Sequence, residues 1–256
     1  MALMGEPSLM EGESADTALG GTLGIIQPVK GYRFSIDPLL LADFASRGGN
    51  ARQAVDLGCG SGVAGLALLL LVAANRLTGI DIQPEAVDRA IRSANWNGYG
   101  SRTKFLIGDI RDIEPVEADL VIANPPYMPL GRGRLNSDKS VAISRHEITL
   151  TVEKCCSFAC ASLTVGGRFC IVFPANQEKR LIGAIEYAGL NLSRFRRVYG
   201  REGEEPFLLL GEGLKGEGGE AIEEAPFILH PLLSATGEKY TKETMAILGA
   251  PRNVLS

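Results

Sequence analysis

VDLGCGSGVAG, residues 55–65, joins a short aliphatic run to a longer one through glycines at 58, 60 and 62. Glycine reaches positive φ and carries no side chain, so such a loop brings backbone close to a ligand while the amides of the next helix point at it. Residues 53–57 read as the strand before the loop and residues 63–74 as the helix after it. Strand-like and helix-like patterns alternate from there, the signature of crossover units around a parallel sheet. Further strands are expected at 77–82, 103–107, 120–123 and in VGGRFCIVFP (165–174). Pro84 opens a helix with Ala86, Ala90, Ile91 and Ala94 on its apolar face, and two more helices are expected at about 150–163 and 177–188. The last two β-like runs, 193–199 and 206–210, are separated only by the polar turn GREGEE, so they pair antiparallel. The expected fold is α/β and Rossmann-like: a mostly parallel seven-stranded sheet ending in an antiparallel hairpin, with helices on both faces.

Composition narrows the function. A chain of 256 residues, 45% hydrophobic, holds one sizeable domain plus an appendage. The net charge of −4 excludes a protein coated in basic charge but leaves a local basic patch open. Cys155, Cys156 and Cys160 sit in an apolar helical stretch, which suits reduced thiols. With His146 and His230 the only histidines, no metal-ligand set of the usual spacing exists, and no metal is expected. The longest apolar run, residues 63–74, falls short of the ~20 residues that cross a bilayer. Residues 1–20 have neither a basic start nor a continuous apolar core, so a cytoplasmic protein without membrane association is expected. The expected layout is a flexible leader over 1–22, a main domain with an N-terminal cap segment over 23–210, a linker (GEGLKGEGGE) beginning at 211 and ending at 220, and a short terminal element over 221–256.

The glycine loop satisfies two templates. Gly60, Gly62 and Gly65 spell the dinucleotide pattern GxGxxG, whereas Asp56, Gly58, Gly60 and Gly62 spell DxGxGxG, the loop of S-adenosylmethionine methyltransferases. The loop alone does not choose between them. Asp81 ends the second strand, where an acidic side chain accepts hydrogen bonds from ribose hydroxyls. Asp109, in IGDI at the end of the third, offers an acceptor for an adenine amino group. Cys59, Ile82 and Ile110 flank these positions and complete the candidate cofactor set. Any one aspartate also reads as a helix or turn cap, but three at successive strand ends gather at one crevice of an open α/β sheet.

ANPPYM, residues 123–128, comes directly after the fourth strand. Prolines end a strand and stiffen the turn beyond it. An exocyclic amino nitrogen on a base is a poor nucleophile because its lone pair is delocalised. A rigidly held carboxamide oxygen and a backbone carbonyl that accept its two hydrogens turn the lone pair toward a methyl donor. Asn124 supplies the carboxamide, Pro125 and Pro126 the rigidity, and Tyr127 a ring on which a base stacks. The alternative is a plain rigid turn.

DLGCGSG, GIDIQPEAV, GDI and ANPPY, in this order, resemble a class I methyltransferase of the amino-group-modifying kind. That resemblance implies S-adenosylmethionine as cofactor and Asn124, Pro125, Pro126 and Tyr127 as the catalytic motif, with Asn124 also beside the cofactor. GYRFSIDPLLLADF (31–44), SRHE (144–147) and GEKYTKETMAIL (237–248) further resemble the bacterial tRNA(valine) adenine-N6 methyltransferases. This implies a tRNA partner, methylated on the adenine beside its anticodon. It also implies that the RFSID segment closes over the cofactor, with Phe34 and Asp37 in the pocket wall. Read from the residues alone, Phe34 is equally a core aromatic and Asp37 a helix cap.

Arg132, Arg134, Lys139 and Arg145 make a basic loop after NPPY, and Arg194, Arg196, Arg197 and Arg201 a second cluster. Either binds phosphate by counterion release or simply solvates its loop. A protein-glutamine methyltransferase would share the NPPY chemistry, but that family carries a larger helical domain where this chain has only about 50 residues. A cofactor- and RNA-binding module without turnover is the third reading, and the intact Asn124 and Tyr127 count against it.

Overall fold

The computed structural model describes residues 3–31, 33–125, 150–232 and 239–249. Its first two strands, β1 (Glu13–Ala18) and β2 (Leu23–Pro28), form a separate antiparallel hairpin. Helix α1 (Asp37–Ser46) leads to β3 (Ala51–Leu57), the glycine loop and α2 (Val63–Leu70). Then come β4 (Ala74–Asp81), α3 (Pro84–Trp96), β5 (Thr103–Ile107) and β6 (Ala118–Ala123). After the undescribed stretch come α4 (Val152–Ser162), β7 (Leu163–Pro174), α5 (Glu178–Tyr187), β8 (Asn191–Tyr199) and β9 (Leu208–Leu214). Two short strands, β10 (Ile222–Glu223) and β11 (Phe227–Ile228), precede α6 (Lys242–Gly249).

The main sheet runs β5-β4-β3-β6-β7-β9-β8, with β10 and β11 both added parallel to the outer edge of β8. Only β9 is antiparallel to its neighbours, so the α/β class and the terminal hairpin stand as expected. The two edge additions are beyond the seven strands foreseen. Side-chain alternation divides the interior into two layers. Leu120, Ile122, Cys170 and Val172 face the core shared with α1 and α2. Their neighbours Val121, Ala123, Phe169, Ile171 and Phe173 face the core under α4 and α5. Strands covered on both faces are continuous in apolar residues, and VIA and FCIVF are such runs.

Several expectations are corrected. Helix α2 stops at Leu70 rather than at 74, because β4 must begin at Ala74 to pair with Ala51 of β3. The chain reverses through Val72 at φ +57°, and the Ala73 amide donates back to the Leu68 carbonyl. An unbroken apolar run carries no sign of that stop. Ile91 lies on the exposed side of α3, while Ala86, Ala90 and Ala94 are buried. Residues 1–22 are also more than a leader, since β1 lies within them. The hairpin is fixed on α3: Asn97 bonds both the amide and the carbonyl of Gly24, Ser93 accepts from the Ile26 amide, and Arg92 pairs with Glu13 at 2.6 Å. Gly24 itself lies so close to the Trp96 ring that any Cβ there would clash.

The expected linker from 211 likewise starts inside β9. Gly211 and Gly213 are strand residues on which α5 packs, with Leu181 and Ile185 within 3.3 and 3.1 Å of where a Cβ would be. Between them Glu212 is buried and accepts from Arg194 at 2.7 Å, Arg168 at 3.1 Å and Ser193 at 2.8 Å. Burial alone would raise the Glu212 carboxyl, but hydrogen bonding and charge from Arg194 hold it at about 2. Arg194 also lies 3.9 Å over the Phe44 ring and pairs with Glu224 at 2.6 Å. Arg196 is bound by Glu243, and Arg197 by Glu178 and Glu223. The arginine cluster of β8 is therefore an internal lattice tying β7, β8, β9, α1, α5 and α6 together. Only Arg201, 3.9 Å from Glu204, stands outside it.

Arg194→Met is expected to destabilise the fold by about 3 kcal/mol, the scale for stripping one partner from a buried carboxylate. Arg52→Ala, an exposed arginine 3.9 Å from two carboxylates, is expected to cost under about 0.5 kcal/mol. Urea unfolding of both variants checks the contrast.

Candidate functional site

Strands β3, β4, β5 and β6 are parallel neighbours, so their carboxyl ends share one edge. The glycine loop leaves β3 there. Gly58, Gly60 and Gly62 adopt φ of +67°, +54° and +86°, which explains why glycine recurs at alternate positions. Gly62 is the N-cap of α2. Two carboxylates hold the loop. Asp56, beneath it, accepts the Gly65 amide at 3.0 Å. Asp81, beside it at the end of β4, accepts the Gly60 amide at 2.8 Å through Oδ2 and the Gln83 amide at 2.9 Å through Oδ1.

Gly58, Ile80, Asp81, Ile82, Gly108, Asp109, Ile110 and Leu150 line a small open cleft at this edge. The structure thus brings together Gly58, Asp81, Ile82, Asp109 and Ile110 of the residues expected from sequence. Ile80, Gly108 and Leu150 join them unforeseen. Leu150 packs so closely over Gly58 that a Cβ there would strike it, and nothing in the local sequence marks it apart from its place just before α4. Cys59, within the loop, and Asp56, before it on β3, are both buried. Burial, with the charges of Asp56 and Asp81 added, pushes the Cys59 thiol well above its ordinary value, so it stays a protonated, inert packing group.

Phe34 is half-buried against the core of α1 and α2, its amide bonded to Gln27 Oε1 at 2.8 Å, and Asp37 begins α1. Neither is among the residues lining the cleft. Asn124 is the residue directly after β6. Ala123 pairs with Leu57, so Asn124 comes level with Gly58, the first glycine of the loop. Asn124 is partly exposed and Pro125 buried. Pro126, Tyr127, Arg132, Arg134, Lys139, Arg145 and His146 lie outside the described residues.

The residues present fit the adenosine part of a nucleoside cofactor. Ile82 and Ile110 give apolar walls for a planar base, Asp81 and Asp109 give acceptors for hydroxyl and amino donors, and the site of a Cβ on Gly60 is open space. Among the described residues no group of three or more His, Cys, Asp or Glu is arranged to hold a metal ion. No helix among them is long and apolar enough to cross a membrane.

The family described as methyltransferase domain matches residues 50–190. The chain is similar to a Porphyromonas gingivalis protein named tRNA1(Val) (adenine(37)-N6)-methyltransferase, with 29% identity over 83% of this chain and 87% of that one. A protein of the same name from a Flavobacteriaceae bacterium shares 25% identity over 83% and 90%. In fold it is similar to the crystal structure of a predicted O-methyltransferase from Agrobacterium tumefaciens, with a TM-score of 0.60 and 21% identity over 85% of this chain and all of that one.

Asp56 makes a testable contribution to stability. Burial raises its carboxyl from 3.8 to about 7, with the Asp81 charge adding to the rise and the Gly65 hydrogen bond opposing it. The folded state therefore holds this proton more tightly than the unfolded chain. The resulting stability is complete below about pH 4 and is lost as pH rises through 7, on the order of 4 kcal/mol in all. Asp56→Asn removes the titration, so the melting temperature of the variant relative to the parent is expected to climb from pH 5 to pH 8. A flat difference would place the Asp56 pKa near its ordinary value.

Proposed function

The chain belongs to the methyltransferase-domain family, and from that premise we propose that it transfers a methyl group from S-adenosylmethionine to N6 of an adenine in tRNA, adenine 37 of a valine tRNA. The observation that carries this reading is the register that brings Asn124 to the glycine loop, at the strand edge shared with Asp81 and Asp109. The names of the tRNA-modifying relatives support the acceptor, and such an acceptor puts the activity in the cytoplasm.

The cofactor, when bound, supplies an activated methyl on a sulfonium, so the protein needs no strong base. Asp81 takes the ribose hydroxyls, Asp109 the adenine amino group, and Ile82 and Ile110 enclose the ring. Asn124 accepts one hydrogen of the target amino group through its carboxamide oxygen, and a neighbouring backbone carbonyl accepts the other. With both N–H bonds held, the nitrogen lone pair has one direction left to point. Tyr127 follows in the motif as a stacking surface for the base. Arg132, Arg134 and Arg145, further along the sequence, take substrate phosphates, which position an RNA without reading its sequence.

S-adenosylmethionine, and not NAD, is expected to raise the melting temperature, by about 2.7 kcal/mol of stabilisation at a hundredfold excess over Kd. Stabilisation by NAD alone would assign the glycine loop to the dinucleotide template. Asn124→Ala is expected to lower methyl transfer at least about a hundredfold while that thermal shift persists. Labelled cofactor incubated with tRNA and with protein fractions, with subsequent nucleoside analysis for N6-methyladenosine, reads both the acceptor and the loss.

A further inference from the structure

Asp109 lies two residues beyond β5, its side chain 7% exposed, and it lines the cleft. Arg111 grips both of its oxygens. The Arg111 backbone amide and Nε donate to Oδ1 at 2.9 and 3.0 Å, and Nη2 donates to Oδ2 at 2.6 Å. The guanidinium is otherwise half in solvent, so this carboxylate is the main thing that holds it. An ionised carboxylate offers about four acceptor sites. Arg111 fills three of them, two on Oδ1 and one on Oδ2, which leaves a single acceptor on Oδ2.

We propose that Arg111 is a positioning residue that sets the base selectivity of the cofactor site. By clamping Asp109 it presents one acceptor to the cleft, which takes an amino-bearing purine and rejects an oxo-bearing one. The proposal deepens the reading of the cleft as the S-adenosylmethionine site and rests on it. A carboxylate only accepts, so a base with an exocyclic amine satisfies it, while the 6-oxo group of hypoxanthine faces it lone pair to lone pair. A protonated carboxyl would donate, and the preference would weaken or reverse. Hydrogen bonding from Arg111 holds the Asp109 carboxyl below its ordinary value against the opposing effect of burial, and the charge of Lys154 on α4 acts in the same direction. Without Arg111 the carboxylate loses the three hydrogen bonds that fix its orientation, and its choice between amino and oxo groups falls with them.

Calorimetric titration of S-adenosylhomocysteine and S-inosylhomocysteine into the parent, Arg111→Met and Arg111→Lys, at pH 5 and pH 8, tests this. The parent is expected to favour the adenosyl compound by at least about tenfold at both pH values. Arg111→Met is expected to lose most of that ratio, and Arg111→Lys to recover part of it. An Arg111→Met variant that keeps the parent's ratio at both pH values, even with both affinities lowered together, would overturn the proposal and leave the cofactor assignment standing. A parent that binds neither compound would overturn both.

Discussion

The hydrogen bond from the Gly60 amide to the Asp81 carboxylate fastens the glycine loop to the neighbouring strand. It can form only because the loop curls through positive φ at 58, 60 and 62, which turns the Gly60 amide sideways toward β4 instead of along β3. The same carboxylate takes the Gln83 amide, so one side chain fixes both the loop after β3 and the entry to α3. Gly79, on β4 opposite Asp56, completes the fit: a Cβ there would fall 3.0 Å from the Cys59 sulfur and closer still to the Phe105 ring. The position of every cleft residue on β3, β4 and the Asp109 turn depends on this joint.

Charge in this protein is spent internally. Arg194, Arg196 and Arg197 look from the sequence like part of a basic surface, yet each is bonded to a carboxylate drawn from another element. A string of arginines on a strand says nothing of its partners when the glutamates come from residues 178, 212, 223 and 243. Long-range pairing of this kind is settled by the register of β8 against β9, which spacing along the chain does not encode.

The central sheet was legible for a physical reason: strands buried on both faces must be continuously apolar, and glycines and prolines punctuate them. Thr103–Ile107 and the Pro84 helix start are read to the residue, and Asp56, Asp81 and Asp109 announce themselves as acids beside glycines at strand ends. What stayed hidden depends on contacts between distant segments. β1 is polar enough in sequence to pass for a leader, because the anchors of this N-terminal region, Trp96, Asn97 and Arg92, lie about 70–90 residues further on. GEG at 211–213 passes for a linker because its glycines matter only once α5 lies on them. Leu150 enters the cleft through tertiary folding alone.

The insertion of β9 between β7 and β8 has a consequence for how the chain reaches this state. β8 is made before β9 but has no place in the sheet until β9 lies against β7, so a nascent chain ending near residue 200 exposes β7 as a raw edge and holds β8 in waiting. Unpaired edges of this kind are where newly made proteins stick to one another. The stretch that matches the methyltransferase family ends at 190 and includes every lining residue of the cleft, but that boundary is not a folding boundary. The segment from 191 to 214, remote from the chemistry, closes the sheet and brings Arg194 and Glu212 together against Arg168 of β7. Closure of the sheet at β7 therefore waits on the β8–β9 pair, although every lining residue of the cleft is made before it.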